Sequence, residues 1–179
     1  MTRVSKKYIE NIFRNSVSPD ELFDTFGIAL QKKIQDMNIY RILLWNKALS
    51  PDEIIMFAEK ICKENPNGCF HIYNCVGKIF SSTSVYGELN EKAMRYFKKA
   101  ADANPTAHEP YLAIIKLYNP DLNIPDFNLV IKATNKGLET VEKKSKLCFA
   151  ISKFYKLNGD VESGNKYQML GENYQREGK

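Results

Sequence analysis

The strongest fold signal in this sequence is the stretch EKAMRYFKKAADANP, residues 91–105. In it, Ala93, Phe97 and Ala100 follow one another at helical spacing, and Pro105 comes shortly after them. Residues four and seven apart lie on one face of a helix. Small alanines let a second helix approach closely, the phenyl ring fills the remaining gap, and the proline ends the helix. The stretch therefore predicts the second member of a tightly packed helix pair.

A matching first helix lies just upstream. Tyr73, Val76, Gly77 and Phe80 are spaced as one apolar helix face that opens with an aromatic residue. Together with the alanine and phenylalanine pattern, they resemble the tetratricopeptide repeat, whose helices carry W-x2-L-G-x2-Y and then A-x3-F-x2-A-x4-P. The connecting loop SSTSVYGE, residues 81–88, is about four residues longer than is usual in that family.

Weaker copies of the first-helix pattern occur elsewhere in the chain. The first residues of the copies, which we call anchors, are Tyr40, Tyr73, Tyr111 and Cys148, separated by 33, 38 and 37 residues. The family period is about 34 residues, and longer loops absorb the difference. Gly159-Asp160 marks the turn of the last helix pair. The resemblance therefore extends along most of the chain.

An identical tetrapeptide, Ser-Pro-Asp-Glu, occurs at 18–21 and at 50–53. Serine is a favoured N-cap, proline fits the first helical position, and acids stabilise the first turn. The glutamate, three residues after the serine, completes a capping box. Both tetrapeptides lead into an apolar stripe, and Pro125-Asp126 begins a third one. We therefore expect helices to begin at these three points, the first two with a capping box.

These signals predict an all-α chain without β-strands, and a non-repetitive helical bundle is the alternative to a repeat array. The resemblance implies a single domain over 1–179, an α-solenoid in which helix pairs form a right-handed superhelix. Its parts would be N-terminal capping helices over 1–36 and hairpins over 37–66, 67–105, 106–142 and 143–179. The predicted helices lie near residues 5–15, 19–35, 37–47, 51–64, 69–81, 89–103, 107–119, 126–141, 144–157 and 160–176.

The composition limits what the chain can be. Its 179 residues carry a net charge of +5, and 44% of them are hydrophobic, which is enough for a core. No apolar run reaches the roughly 18 residues of a membrane span, and no apolar stretch follows the basic start. We therefore expect a cytoplasmic protein without membrane contact. Its cysteines should be buried free thiols: Cys62, Cys69, Cys75 and Cys148.

Signals for catalysis and metal binding are weak. The chain has two histidines, His71 and His108, and none of the common nucleophile, zinc or phosphate-loop motifs. Cys69, His71 and Cys75 are the one candidate metal cluster. Thiols six residues apart on a helix point in nearly opposite directions, so they cannot share one tetrahedral ion. We expect no enzyme activity, no cofactor and no metal.

The tetratricopeptide resemblance implies an interaction scaffold whose first helices line a concave groove. Residues one, five and eight positions after each anchor share a helix face that does not meet the core, so they would line that groove. They place basic side chains beside aromatic and apolar ones, which suits a protein or peptide segment that carries acids. The candidate groove residues among these positions are Arg41, Trp45, Asn74, Lys78, Leu112, Lys116, Phe149, Lys153 and Lys156.

Nucleic-acid binding is the alternative function, because helical repeats can read RNA and the net charge is positive. A regulatory helical-repeat subunit belongs to the same alternative. Acids interrupt most of the short basic clusters, however, which favours a protein partner.

Overall fold

The computed structural model describes residues 5–82 and 88–178 and places them in ten α-helices. These described residues contain no β-strand, and one isolated antiparallel backbone pair joins Asn119 to Ile124. The prediction of an all-helical chain is therefore confirmed. The helices are α1 (Lys6–Asn15), α2 (Pro19–Gln31), α3 (Met37–Leu44), α4 (Pro51–Glu64), α5 (Cys69–Ser82), α6 (Glu88–Ala103), α7 (Glu109–Leu117), α8 (Phe127–Thr140), α9 (Lys144–Leu157) and α10 (Val161–Arg176), with a 3-10 helix at Pro66–Gly68.

The chain divides into two compact units, residues 1–79 and residues 80–179. In the first unit, α1 packs on α2 and on α3, and α3 packs on α4. In the second unit, each of α6, α7, α8 and α9 packs on the helix that follows it, and α7 also packs on α9. The long loop predicted at 81–88 falls mostly outside the described residues, because 83–87 are not described.

One fully buried position recurs in α1, α3, α5, α7 and α9. Ile9, Leu43, Val76, Ile114 and Ile151 are each 0% exposed. The steps between them along the chain are 34, 33, 38 and 37 residues. The last four lie three residues after the predicted anchors, and the first gives α1 the same register. Helix α1 therefore uses the core position of the helices in which the pattern was predicted.

Four helices, α2, α4, α6 and α8, bury residues at positions i, i+4 and i+7, which lie on one helix face. The predicted burial of Ala93, Phe97 and Ala100 is confirmed, since each is at most 1% exposed. Three other helices repeat this spacing with other side chains. The further sets are Leu22, Phe26 and Ala29 in α2, Ile54, Ala58 and Ile61 in α4, and Val130, Thr134 and Gly137 in α8.

The two Ser-Pro-Asp-Glu sequences begin α2 and α4 as predicted, but only the second forms a capping box. At α4, the Glu53 carboxylate accepts from the Ser50 N–H at 2.7 Å, and Ser50 Oγ accepts from the Glu53 N–H at 3.3 Å. At α2, the Ser18 N–H donates to Ser16 Oγ at 3.1 Å, and Glu21 accepts from the Ser16 hydroxyl. The capping box predicted at 18–21 is therefore wrong. Before α4, an alanine stands where Ser16 stands before α2, so no hydroxyl competes there.

Two helices of the first unit end before their predicted last residues. Helix α2 ends at Gln31, because Lys33 adopts the left-handed region with φ 51° and the Ile34 N–H bonds back across the last turn at 3.2 Å. This is a Schellman ending without the usual glycine. Helix α3 ends at Leu44, and the Asn46 amide then donates to two carbonyl groups at the end of α1, at 2.9 and 3.0 Å.

Candidate partner-binding surfaces

Four of the predicted groove residues lie in the first unit, on α3 and α5, and we call them the N-terminal surface. Arg41 and Lys78 are exposed, and Asn74 is partly buried. Trp45 is the C-cap residue of α3, and its side chain is 49% exposed. A large, half-exposed indole beside two cations is a surface that can bind another molecule.

Three of these residues lie close enough to the buried Cys75 thiol to influence its pKa. Burial raises the pKa of the Cys75 thiol, while Arg41, Trp45 and Lys78 each lower it; burial prevails. The thiol therefore stays protonated at neutral pH and is not an activated nucleophile.

Asn74 differs from the other residues of the N-terminal surface, because its side-chain oxygen is buried. Its Oδ1 atom is buried and makes no hydrogen bond to any of the described residues. A buried amide oxygen without a donor costs free energy, so such an atom in a native fold calls for an explanation.

A pocket of about 450 Å³ opens beside Arg41 and Trp45, between α1 and α3. It contains a cation that the sequence reasoning missed, Arg14, whose guanidinium also bonds Glu10 at 3.0 Å. Arg14 lies five residues after the buried Ile9, the relation that Lys156 has to Ile151. This shared spacing is the signal in the sequence that points to Arg14. The lining residues are Phe13, Arg14, Asn38, Arg41, Ile42, Trp45 and Asn46.

The other five predicted groove residues lie in the second unit, on α7 and α9, and we call them the C-terminal surface. Lys116 is exposed in the last turn of α7, whereas Leu112 is partly buried and packs against a core cluster that includes Tyr111 and Ile151. Leu112 therefore serves the core as much as the surface.

On α9, three residues of the C-terminal surface line one pocket of about 350 Å³: Phe149, Lys153 and Lys156. Phe149 is 36% exposed and Lys153 is exposed. Lys156 is partly buried, and its ammonium donates to the Gln168 side chain of α10. Lys153 is therefore the more available cation, and Lys156 first of all links α9 to α10.

A different cleft of the second unit lies between α6, α8 and the chain segment before α8, with a volume of about 640 Å³. Lys98 and Lys99 line it, together with Ile124, Pro125 and Leu129 among others. Lys99 also lies 5.2 Å from the centre of the Tyr96 ring, as a cation–π contact. A change at either lysine would therefore alter this cleft, so the pair is unsuitable as a control for the predicted groove.

Comparison of the chain with protein-family models, with curated proteins and with solved structures gave no match. Within the described part of the chain, no three His, Cys, Asp or Glu side chains are grouped so that they could hold a metal ion. Of the helices described, none is both long enough and apolar enough to cross a membrane.

Proposed function

We propose that this chain is a tetratricopeptide-like scaffold whose first helices bind an acidic segment of a partner protein. The observation that carries the proposal is that Arg41 and Trp45, two positions that the repeat register selects on α3, line one pocket together with Arg14 of α1. Lys78, which the same register selects on α5, is exposed. Residues that one register places on the same surface are stronger evidence for a binding site than basic side chains scattered over the chain.

The recurring core positions support the repeat assignment. Five first helices bury one residue completely at steps of 33 to 38 residues, close to the family period of about 34. In the second unit, α7 packs both on α8 and on α9, as a first helix does in stacked helical hairpins. We include α1 and α2 as a first hairpin, since α1 shares the register. The superhelical arrangement of the hairpins belongs to the same proposal.

The chemistry of the two surfaces favours an acidic partner. None of the nine predicted groove residues is acidic, and five are Lys or Arg. A surface whose charges are all positive raises the association rate of an acidic segment and disfavours basic segments. Trp45 and Phe149 offer aromatic contact area. The occupant that fits is an extended or helical segment with acids spaced along it.

A comparison of three proteins in one native extract tests this function. The wild type, the Lys78→Glu/Lys116→Glu/Lys153→Glu variant and a matched control, Lys63→Glu/Lys143→Glu/Lys166→Glu, are used as affinity baits. The control changes net charge equally at exposed lysines that line none of the pockets described above. We expect one partner to be retained by the wild type and the control and lost with the first variant. Equal retention by all three would contradict the proposal.

Single-stranded RNA is the second candidate partner. The observation that favours it is the half-exposed Trp45 between cations, because bases stack on aromatic side chains in basic grooves. A fluorescent oligonucleotide titrated at several salt concentrations distinguishes the two candidates. Steeply salt-dependent binding that the first variant abolishes would favour RNA, and its absence would leave the protein partner.

A further inference from the structure

Two cysteines of the first unit lie against each other where α4 gives way to α5. Cys62 is in the last turn of α4, and Cys69 begins α5. Seven residues of continuous helix would separate them by about 10 Å along the axis. Instead, Asn65 leaves the helical region and the 3-10 turn at Pro66–Gly68 folds the chain back. The Cys69 thiol thereby reaches the Cys62 carbonyl oxygen at 3.5 Å.

The Cys69 thiol and the Tyr73 hydroxyl both lie close enough to Cys62 to change the pKa of its thiol. Cys62 is only 6% exposed, whereas Cys69 is partly exposed, so the expectation that all four cysteines are buried is wrong for Cys69. An oxidant in solution can therefore reach the Cys69 thiol, whereas the Cys62 thiol is shielded from solvent.

The side chains around Cys62 supply a route for its proton. The Tyr73 hydroxyl donates to Glu59 Oε2 at 3.2 Å, and it lies close enough to Cys62 to lower the pKa of that thiol. Burial, and then the hydrogen bond to Cys69, raise the pKa of Cys62 well above its ordinary value, so this thiol keeps its proton at neutral pH. It needs a nearby base to react, and the Glu59 carboxylate is one hydroxyl away.

We propose that Cys69 and Cys62 form an oxidation site at which hydrogen peroxide produces an intramolecular disulfide. The Cys69 sulfur attacks peroxide and breaks its O–O bond, which gives a sulfenic acid on Cys69 and one water. The Cys62 sulfur then attacks the Cys69 sulfur; the S–S bond forms, the S–O bond breaks, and hydroxide leaves. The Cys62 proton passes through Tyr73 to Glu59 and on to that hydroxide, as a second water. Two thiols lose two electrons, and one peroxide becomes two waters.

The site does not depend on the proposed scaffold function. If it forms, the bridge ties the last turn of α4 to the first turn of α5, the helix that carries Asn74 and Lys78. Oxidation would then restrain the element that presents half of the N-terminal surface, whatever that surface binds.

Mass spectrometry of the full chain tests the proposal. The reduced protein is treated with hydrogen peroxide in small excess, unfolded and alkylated. We expect a mass loss of about 2 Da before alkylation and a fall from four to two titratable thiols. Trypsin cuts after Lys60, Lys63 and Lys78, so the bridge would join peptide 61–63 to peptide 64–78.

Matched variants identify the bridge. Because Cys69 and Cys75 share the second tryptic peptide, Cys69→Ser should abolish the joined peptides, and Cys75→Ser and Cys148→Ser should retain them. Tyr73→Phe should slow closure several-fold and let dimedone trap a Cys69 sulfenic acid, because the proton route is interrupted. Four free thiols in the treated wild type would overturn the proposal. So would a bridge that survives Cys69→Ser, or a disulfide between two chains.

Discussion

At the scale of single residues, Gly137 shows how closely two helices of the second unit pack. A Cβ atom at this position of α8 would lie 2.8 Å from the Tyr111 ring of α7. Tyr111 is 6% exposed and belongs to a core cluster with Val141 and Ile151, so its ring cannot simply move into solvent. Glycine is therefore required here for helix approach and not for a turn, since Gly137 is within a helix.

We predict opposite effects for two glycine-to-alanine changes. Gly137→Ala should destabilise the fold by about 1–3 kcal/mol, because the methyl group overpacks the Tyr111 contact. Gly27→Ala, inside α2, should stabilise it by about 0.5–1 kcal/mol, because among the described residues nothing lies within 4 Å of the added Cβ and alanine favours helix. Urea unfolding measures both. Equal effects of the two changes would contradict the packing of α7 on α8.

Sequence spacing predicted the buried residues of the best repeat but could not supply several contacts at the surface. The burial of Ala93 and Phe97 follows from helical periodicity alone. The contact of Cys62 with Cys69 does not, because it depends on a chain reversal at Pro66–Gly68 that periodicity does not describe. The unpaired Asn74 oxygen likewise depends on three-dimensional surroundings and has no signature in the sequence.

At the scale of helices, starts were more predictable than ends. Helix starts depend on local side chains such as Asp126, whose carboxylate accepts from the Asn128 and Leu129 N–H groups at the start of α8. Helix α7 was predicted to reach residue 119 but ends at Leu117. Asn119 instead pairs with Ile124, and its side chain accepts from the N–H groups of the next turn. Apolar spacing continues past Leu117, so it hides this competing turn.

The capping box of α4 leads to a prediction about pH. The hydrogen bonds from the side chain and backbone of Ser50 lower the pKa of Glu53 below its ordinary value. A carboxylate whose pKa is lowered on folding stabilises the fold above its unfolded pKa, and this contribution is lost as the pH falls through the folded pKa. Ser50→Ala should cost about 0.5–2 kcal/mol at pH 7 and less at an acidic pH below the folded pKa of Glu53.

Ser18→Ala is the matched comparison, because its glutamate does not bond the cap N–H. We expect a smaller cost at pH 7 and a weaker dependence on pH, since only the Glu21 N–H loses its acceptor. Urea midpoints of both variants at the two pH values measure the difference. An equal loss from both serines at both pH values would show that the glutamate of α4 adds nothing to the cap.

At the scale of the whole molecule, the account depends on one register shared by all the first helices. That register selected Arg41 and Trp45 from the sequence, and they line one pocket in the first unit. It also selected Leu112 and Lys156, which are largely occupied by the core and by Gln168. Register identifies a helix face, whereas the contacts of neighbouring helices determine which residues on that face remain available.

For the partner obtained with the wild-type bait, we predict a kinetic effect of charge reversal. Each exposed charge contributes only about 0.2–1 kcal/mol, so single changes should be hard to detect. Reversing Lys78, Lys116 and Lys153 together replaces attraction by repulsion, and binding should weaken about tenfold or more at low salt. The loss should lie mainly in the association rate and should shrink as salt is added. Stopped-flow association rates of this variant and the Lys63/Lys143/Lys166 control measure it.

The fluorescence of Trp45 tests most directly whether the predicted surface is used, because this is the only tryptophan in the chain. Trp45 is 49% exposed and lines a pocket with Arg41, so a segment bound at the N-terminal surface would cover it. Titration of the tryptophan-free acidic segment of the partner should shift the emission to the blue and saturate at the independently measured affinity. The Lys63/Lys143/Lys166 control should give the same curve. Unchanged Trp45 emission at full occupancy would contradict binding at this surface.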